Sequence, residues 1–112
     1  MVLEYLDERA REEQKGMIRD LERYIEVSIT NQYVISLQSL AAKAKDKLKY
    51  SKEYIAQRLD DIKRDLFNMY APQFEILNQE TIYAGISGNK YYEFVDSLEK
   101  RLTALEKVYG CR

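Results

Sequence analysis

The sequence predicts a mainly α fold with one small β-hairpin, and three observations carry that expectation. Apolar residues recur at three- and four-residue spacing over most of the 112 residues. One proline, Pro72, interrupts such a run and biases Ala71 away from helix. Directly after it, "QFEILNQETIY" alternates apolar with polar residues and then becomes β-favouring.

Taken in order, a first helix is expected from about Val2 to Ile29. Leu3, Leu6 and Ala10 begin a stripe that Met17, Leu21 and Tyr24 resume, and Ile18, Ile25 and Ile29 broaden it. The intervening "DERAREEQKG" is polar and Gly16 weakens the helix there, so this half is expected to extend past the core and to need a partner. Thr30-Asn31-Gln32 reads as a turn and Tyr33-Val34-Ile35 as a short strand. Ser36 stands where an N-cap would, opening a helix of about three turns with Leu37, Leu40 and Ala41 inward. "DKLKY" then turns, with Leu48 available to plug the core.

Ser51 is the next N-cap candidate. Ile55, Leu59, Ile62 and Leu66 follow at spacings of four, three and four, on one helical face that ends near Tyr70. In the hairpin, Phe74 and Ile76 alternate with Gln73 and Glu75, Asn78-Gln79-Glu80 forms the tip, and Thr81, Ile82 and Tyr83 return. Gly85 and Ser87-Gly88-Asn89 close it. The last helix, about Lys90 to Tyr109, carries Tyr91, Val95, Leu98, Leu102, Leu105 and Tyr109 as an a/d seam. Under three heptads long, it is expected to pack on the N-terminal helix or on that helix in a second copy. Tyr24, Tyr33, Tyr83, Tyr91 and Tyr109 fall on or near the expected buried faces.

Composition narrows the function. The apolar fraction is 46% and the charged fraction 33%, which suits one folded domain. No apolar run approaches the roughly 20 residues that span a bilayer, and the acidic N-terminus has no signal-peptide core. A cytoplasmic location is therefore expected. The absence of histidine removes Ser-His-Asp triads, Cys-His dyads and His-based metal sites together. The lone Cys111 reads as an incidental thiol near the end of the chain. A non-enzymatic protein without cofactor or metal is the expectation.

Charge is unevenly placed. Residues 1–29 carry eight acids against five bases, and residues 65–112 seven against five. Residues 43–64 reverse this, with eight bases (Lys43, Lys45, Lys47, Lys49, Lys52, Arg58, Lys63 and Arg64) against four acids. A basic block in an otherwise acidic chain suits a polyanionic partner. It also suits a solvated helix face.

The order helix, strand, helix, turn, capped helix, hairpin, helix resembles the winged helix-turn-helix fold. The resemblance is carried by "YVISLQSLAAKAKDKLKYSKEYIAQRLDDIKRDL" and "FEILNQETIYAGI", within residues 33–86. The flanking segments 1–29 and 90–109 look like the dimerising helices of PadR-type and MarR-type regulators and of small archaeal and archaeal-virus winged-helix proteins. "AKAKDKLKYS" departs from the family by being longer and more basic than its usual tight turn.

The resemblance implies a single winged-helix domain that binds double-stranded DNA sequence-specifically as a homodimeric transcription regulator. The helix after Ser51 would be its recognition helix, with Gln57 suited to adenine and Arg58 to guanine. Lys47, Lys49, Ser51 and Lys52 would lie near phosphates, and the Tyr50 and Tyr54 phenols within reach of them. Asp60 and Asp61 oppose insertion of the second half, and Glu80 opposes contact by a wing bearing Asn78 and Gln79. Dimerisation would use Leu3, Leu6, Tyr91, Val95, Leu98, Leu102, Leu105 and Tyr109. The alternative is a protein-binding module, either a winged helix or a helical bundle, that does not touch DNA.

Overall fold

The structure, a computed structural model, describes residues 2–86 and 89–112, with side-chain surroundings from residue 12 onward. It consists of four helices: α1 (Val2–Lys45), α2 (Lys52–Met69), α3 (Ala71–Tyr83) and α4 (Asn89–Val108). The described residues include no strand, which overturns the winged-helix core with its hairpin.

Two misreadings explain the difference. The first lies in α1, which runs unbroken through the turn and strand expected at residues 30–35. Ile25, Ile29, Tyr33, Leu37 and Leu40 are all buried, and their spacings of four, four, four and three continue one helical stripe. The β-branched residues around Tyr33 weaken helix propensity only by tenths of a kcal/mol each, about what one buried contact overrides. Ser36 is an interior residue whose hydroxyl donates to the Gln32 carbonyl at 3.3 Å.

The second misreading lies at Pro72. The helical run does stop at Tyr70, as expected, because proline has no N–H and its ring crowds the preceding turn. Proline is equally suited to the first turn of a new helix, and α3 starts there. Phe74, Leu77 and Thr81 are its buried residues, at helical spacings of three and four. The Phe74–Ile76 alternation was incidental, since Ile76 is half exposed. Asn78 and Gln79 therefore lie within a helix, and the described residues form no wing. Thr81 is satisfied inside α3 by donating to the Leu77 carbonyl at 2.7 Å.

α2 and α3 together form a broken helix that runs antiparallel along α1. Tyr70 meets α1 at Tyr24, with ring centroids 6.2 Å apart, and accepts a 2.6 Å hydrogen bond from Gln32. Further along, Glu80 accepts from Gln14 at 3.1 Å. α4 then returns parallel to α1, shown by the pairs Arg101–Glu26, Glu106–Tyr33 and Cys111–Leu37. The result is an up-down-up bundle with a broken middle helix, 71 Å long and 19 by 17 Å across.

The core is a continuous apolar column along α1, into which Ile55, Leu59, Leu66, Phe74, Leu77, Leu98 and Leu102 project. Phe67, Phe74 and Phe94 join α2, α3 and α4 through ring contacts of 5.4 and 6.3 Å. Among the tyrosines expected to pack, Tyr33 is fully buried, and Tyr91 and Tyr109 partly. Tyr24 and Tyr83 are mostly exposed. No helix among the described residues is long and apolar enough to cross a membrane.

Candidate nucleic-acid interface

The basic block of the sequence becomes one end of the bundle. Lys43 and Lys45 occupy the last turn of α1, Lys47 and Lys49 the connecting turn, and Lys52 the first residue of α2. Asp46 organises this turn. Its carbonyl accepts from Lys49 N at 3.2 Å and Tyr50 N at 2.9 Å, and its carboxylate accepts from Lys49 N at 3.2 Å. Lys47, Leu48 and Lys49 are thereby turned outward, all three exposed. Leu48, expected as a core plug, touches no core at all.

Ser51 caps α2 as its sequence position predicts. Its backbone is extended, and its hydroxyl accepts the Tyr54 N–H at 3.0 Å. Ile55 and Leu59 are buried beneath this start, so Lys52, Glu53, Tyr54, Gln57 and Arg58 face solvent. Tyr50 and Tyr54 lie together with centroids 5.4 Å apart, and the Lys43 and Lys49 ammonium groups stand 5.6 and 5.9 Å from the Tyr50 ring. None of the five lysines, nor Arg58, is ion-paired with a described residue. Gln57 donates to Asp61 at 3.0 Å, and Arg64 rather than Arg58 takes Asp61 as its ion-pair partner, at 3.3 Å. The DNA-contacting residues expected from the sequence are thus brought together on one exposed end.

Below them lies a feature the sequence reading missed. Glu106 is fully buried where α1, α2 and α4 meet. Tyr33 donates its hydroxyl to Glu106 Oε2 at 2.5 Å, and Lys63 Nζ stands 3.0 Å from the same oxygen. Arg112 Nε lies 2.8 Å from Oε1, close enough for an ion pair although its N–H is not aligned for a hydrogen bond. Arg112 also reaches Asp60 at 3.0 Å, so the acid expected to repel DNA is already engaged. Gly110, at φ +75°, makes the turn that folds Cys111 and Arg112 back onto the bundle.

Burial, followed by the hydrogen bond to Glu106 and its charge, pushes the Tyr33 hydroxyl well above the usual tyrosine range. Burial, with a smaller contribution from Glu106, also raises the Cys111 thiol, whose Sγ lies 3.5 Å from the Leu37 carbonyl. Cys111 is therefore a buried residue of the core and not an incidental end group. A signal for Glu106 was present in the sequence, because it continues the Leu98–Leu102 spacing by four more residues.

A cavity of about 600 Å³ connects the two charge groups, lined by Lys47, Lys52, Ile55, Cys111 and Arg112 among others. A second cleft of about 710 Å³ lies far from the basic end, between α1, α3 and α4, with charges of both signs on its rim. Among the described residues, no group of three or more acids and cysteines is placed to hold a metal ion.

The seam expected to dimerise faces inward. Leu98 and Leu102 are buried within the chain's own bundle, and Tyr91, Val95, Leu105 and Tyr109 are partly buried against it. Of the two packing options for α4, the one realised within the chain is contact with α1. The Leu3 and Leu6 side chains lie outside the described residues. Comparison of the chain with family models, curated proteins and solved structures finds no match.

Proposed function

We propose that this protein binds double-stranded DNA through the basic end of its helical bundle. The observation that carries the reading is the set of five lysines on α1, the turn and α2, none ion-paired with a described residue. Elsewhere on the bundle, Lys63, Lys100, Arg101 and Arg112 are engaged by carboxylates. Arg19, Arg23 and Lys107 also meet no described carboxylate within ion-pair distance, but they are dispersed, whereas the five lysines fall within residues 43–52 beside a single acid, Asp46. Cations without such partners can replace the counterions of a phosphate backbone, which gives affinity that falls steeply with salt. Beside them, Tyr54, Gln57 and Arg58 project from the first two turns of α2, a cylinder narrow enough for the major groove. Sequence preference would come from these residues, and a role in transcription regulation rests on that preference. A homodimer would have to use a face other than the buried Leu98–Leu102 seam.

The test is binding to random-sequence duplex across a salt series, followed by selection of preferred sequences. Lys49→Ala should weaken all duplexes alike and reduce the salt slope by about 1, whereas Arg58→Ala should flatten the sequence preference at one position. Absence of duplex affinity at low salt would remove this reading. The second reading, a helical protein-interaction module, is favoured by α3, which leaves Ile76, Ile82 and Tyr83 exposed. It predicts that Ile82→Lys abolishes association with a protein partner and leaves duplex binding untouched.

A further inference from the structure

We infer that Leu48 is a wedge, inserted between neighbouring base pairs so that the basic end bends the duplex it holds. This rests on the DNA-binding reading above and adds the mode of contact. Leu48 has its whole surface in solvent, with a relative exposure of 103%. An aliphatic side chain in that position contributes nothing to the core, yet the turn that presents it is closed by hydrogen bonds around it. The Asp46 carbonyl and carboxylate tie down the N–H groups of Lys49 and Tyr50 immediately after it.

The surroundings select the partner. Lys47 and Lys49 flank Leu48, and Lys43, Lys45 and Lys52 lie on the two helix ends that the turn joins. Cations on both sides of one projecting apolar group match a groove, where phosphates line the edges and stacked bases form the floor. Leucine is among the side chains that part a base step and kink the duplex. An anionic lipid surface would also attract the lysines, but retention there needs more apolar area than this end offers. The Tyr50 ring is approached by Lys43 and Lys49 and lies against Tyr54, leaving one leucine free to insert. One leucine is enough to open one base step.

The experiment uses the full chain and a duplex that carries 2-aminopurine internally and a donor–acceptor dye pair at its ends. Wild-type protein should raise the 2-aminopurine fluorescence and shorten the end-to-end distance. Leu48→Ala should keep the salt slope, bind about tenfold more weakly and lose both signals, and Leu48→Phe should restore them. If Leu48→Ala bends the duplex as wild type does, the wedge is wrong while the DNA-binding reading stands. If wild-type protein binds no duplex at low salt, both fall. Leu48-dependent binding to phosphatidylserine vesicles, with no change in 2-aminopurine fluorescence, would overturn the wedge in favour of a lipid partner.

Discussion

Two groups of cations meet across one cavity at the end of the bundle, through Arg112 on one side and Lys47 and Lys52 on the other, and they are neutralised to opposite degrees. Lys63 and Arg112 converge on Glu106, which has no exposed surface, and both also reach Asp60. Lys43, Lys45, Lys47, Lys49 and Lys52, a few residues away, meet no described carboxylate within ion-pair distance. The difference follows from where the acids fall. Glu106 extends the inward stripe of α4, so folding itself brings it to Lys63 and Arg112. Burying a carboxylate is tolerable only with such partners. At the tip, the Asp46 carboxylate is directed to its own turn and accepts the Lys49 N–H. Charge in the first group therefore serves the fold, and charge in the second remains available to an outside anion.

The largest effect that would test this contrast is loss of Glu106. Glu106→Ala leaves the buried Tyr33 hydroxyl without its acceptor and Lys63 and Arg112 with Asp60 alone, and should destabilise the bundle by about 3 kcal/mol, read by urea unfolding. Tyr33→Phe removes one donor from the same carboxylate and should cost about 1–3 kcal/mol.

The pH dependence sharpens the same point. Tyr33 has a raised pKa in the folded chain, so above about 10 the unfolded chain loses a proton that the folded chain keeps. The Tyr33 contribution to stability should thus be complete below that pH and be lost as pH rises through and beyond it. The raised Cys111 thiol should start the decline nearer about 8.5. Tyr33→Phe should remove the later part of the decline in a pH series of unfolding curves, whereas an unchanged profile would mean that Tyr33 is not buried on Glu106. The smallest effect on stability belongs to the exposed lysines. Lys47→Ala and Lys52→Ala should each shift unfolding by no more than about 0.5 kcal/mol while weakening duplex binding. A large loss of stability from either would show that the tip is part of the fold.

Much of this architecture was legible in the residues. Ser51 announced the start of α2, Pro72 the break at Tyr70, and the 4-3-4-3-4 seam the extent of α4 to within about a residue. The grouping of cations near residue 50 was also local information, because a turn keeps sequence neighbours together. The hairpin was misread because Phe74-Glu75-Ile76 is too short to separate a period of two from one of 3.6, and Leu77 and Thr81 carried the decisive helical spacing. Tyr33–Ile35 was misread because β propensity is a weak preference, outweighed by burial of Tyr33 and Leu37 on a continuous α1.

The sequence by itself determined the helical stripes, the caps and breaks, and the concentration of positive charge at one turn, since these depend on neighbours within a few residues. Only the tertiary structure decided that Leu98 and Leu102 pack inside the chain, that Glu106 gathers Tyr33, Lys63 and Arg112, and that Leu48 stands in solvent among lysines. The first two outcomes depend on contacts between residues dozens of positions apart, and the third on no such contact reaching Leu48. Spacing along a helix sets which side chains share a face. Which helix that face meets is settled by packing.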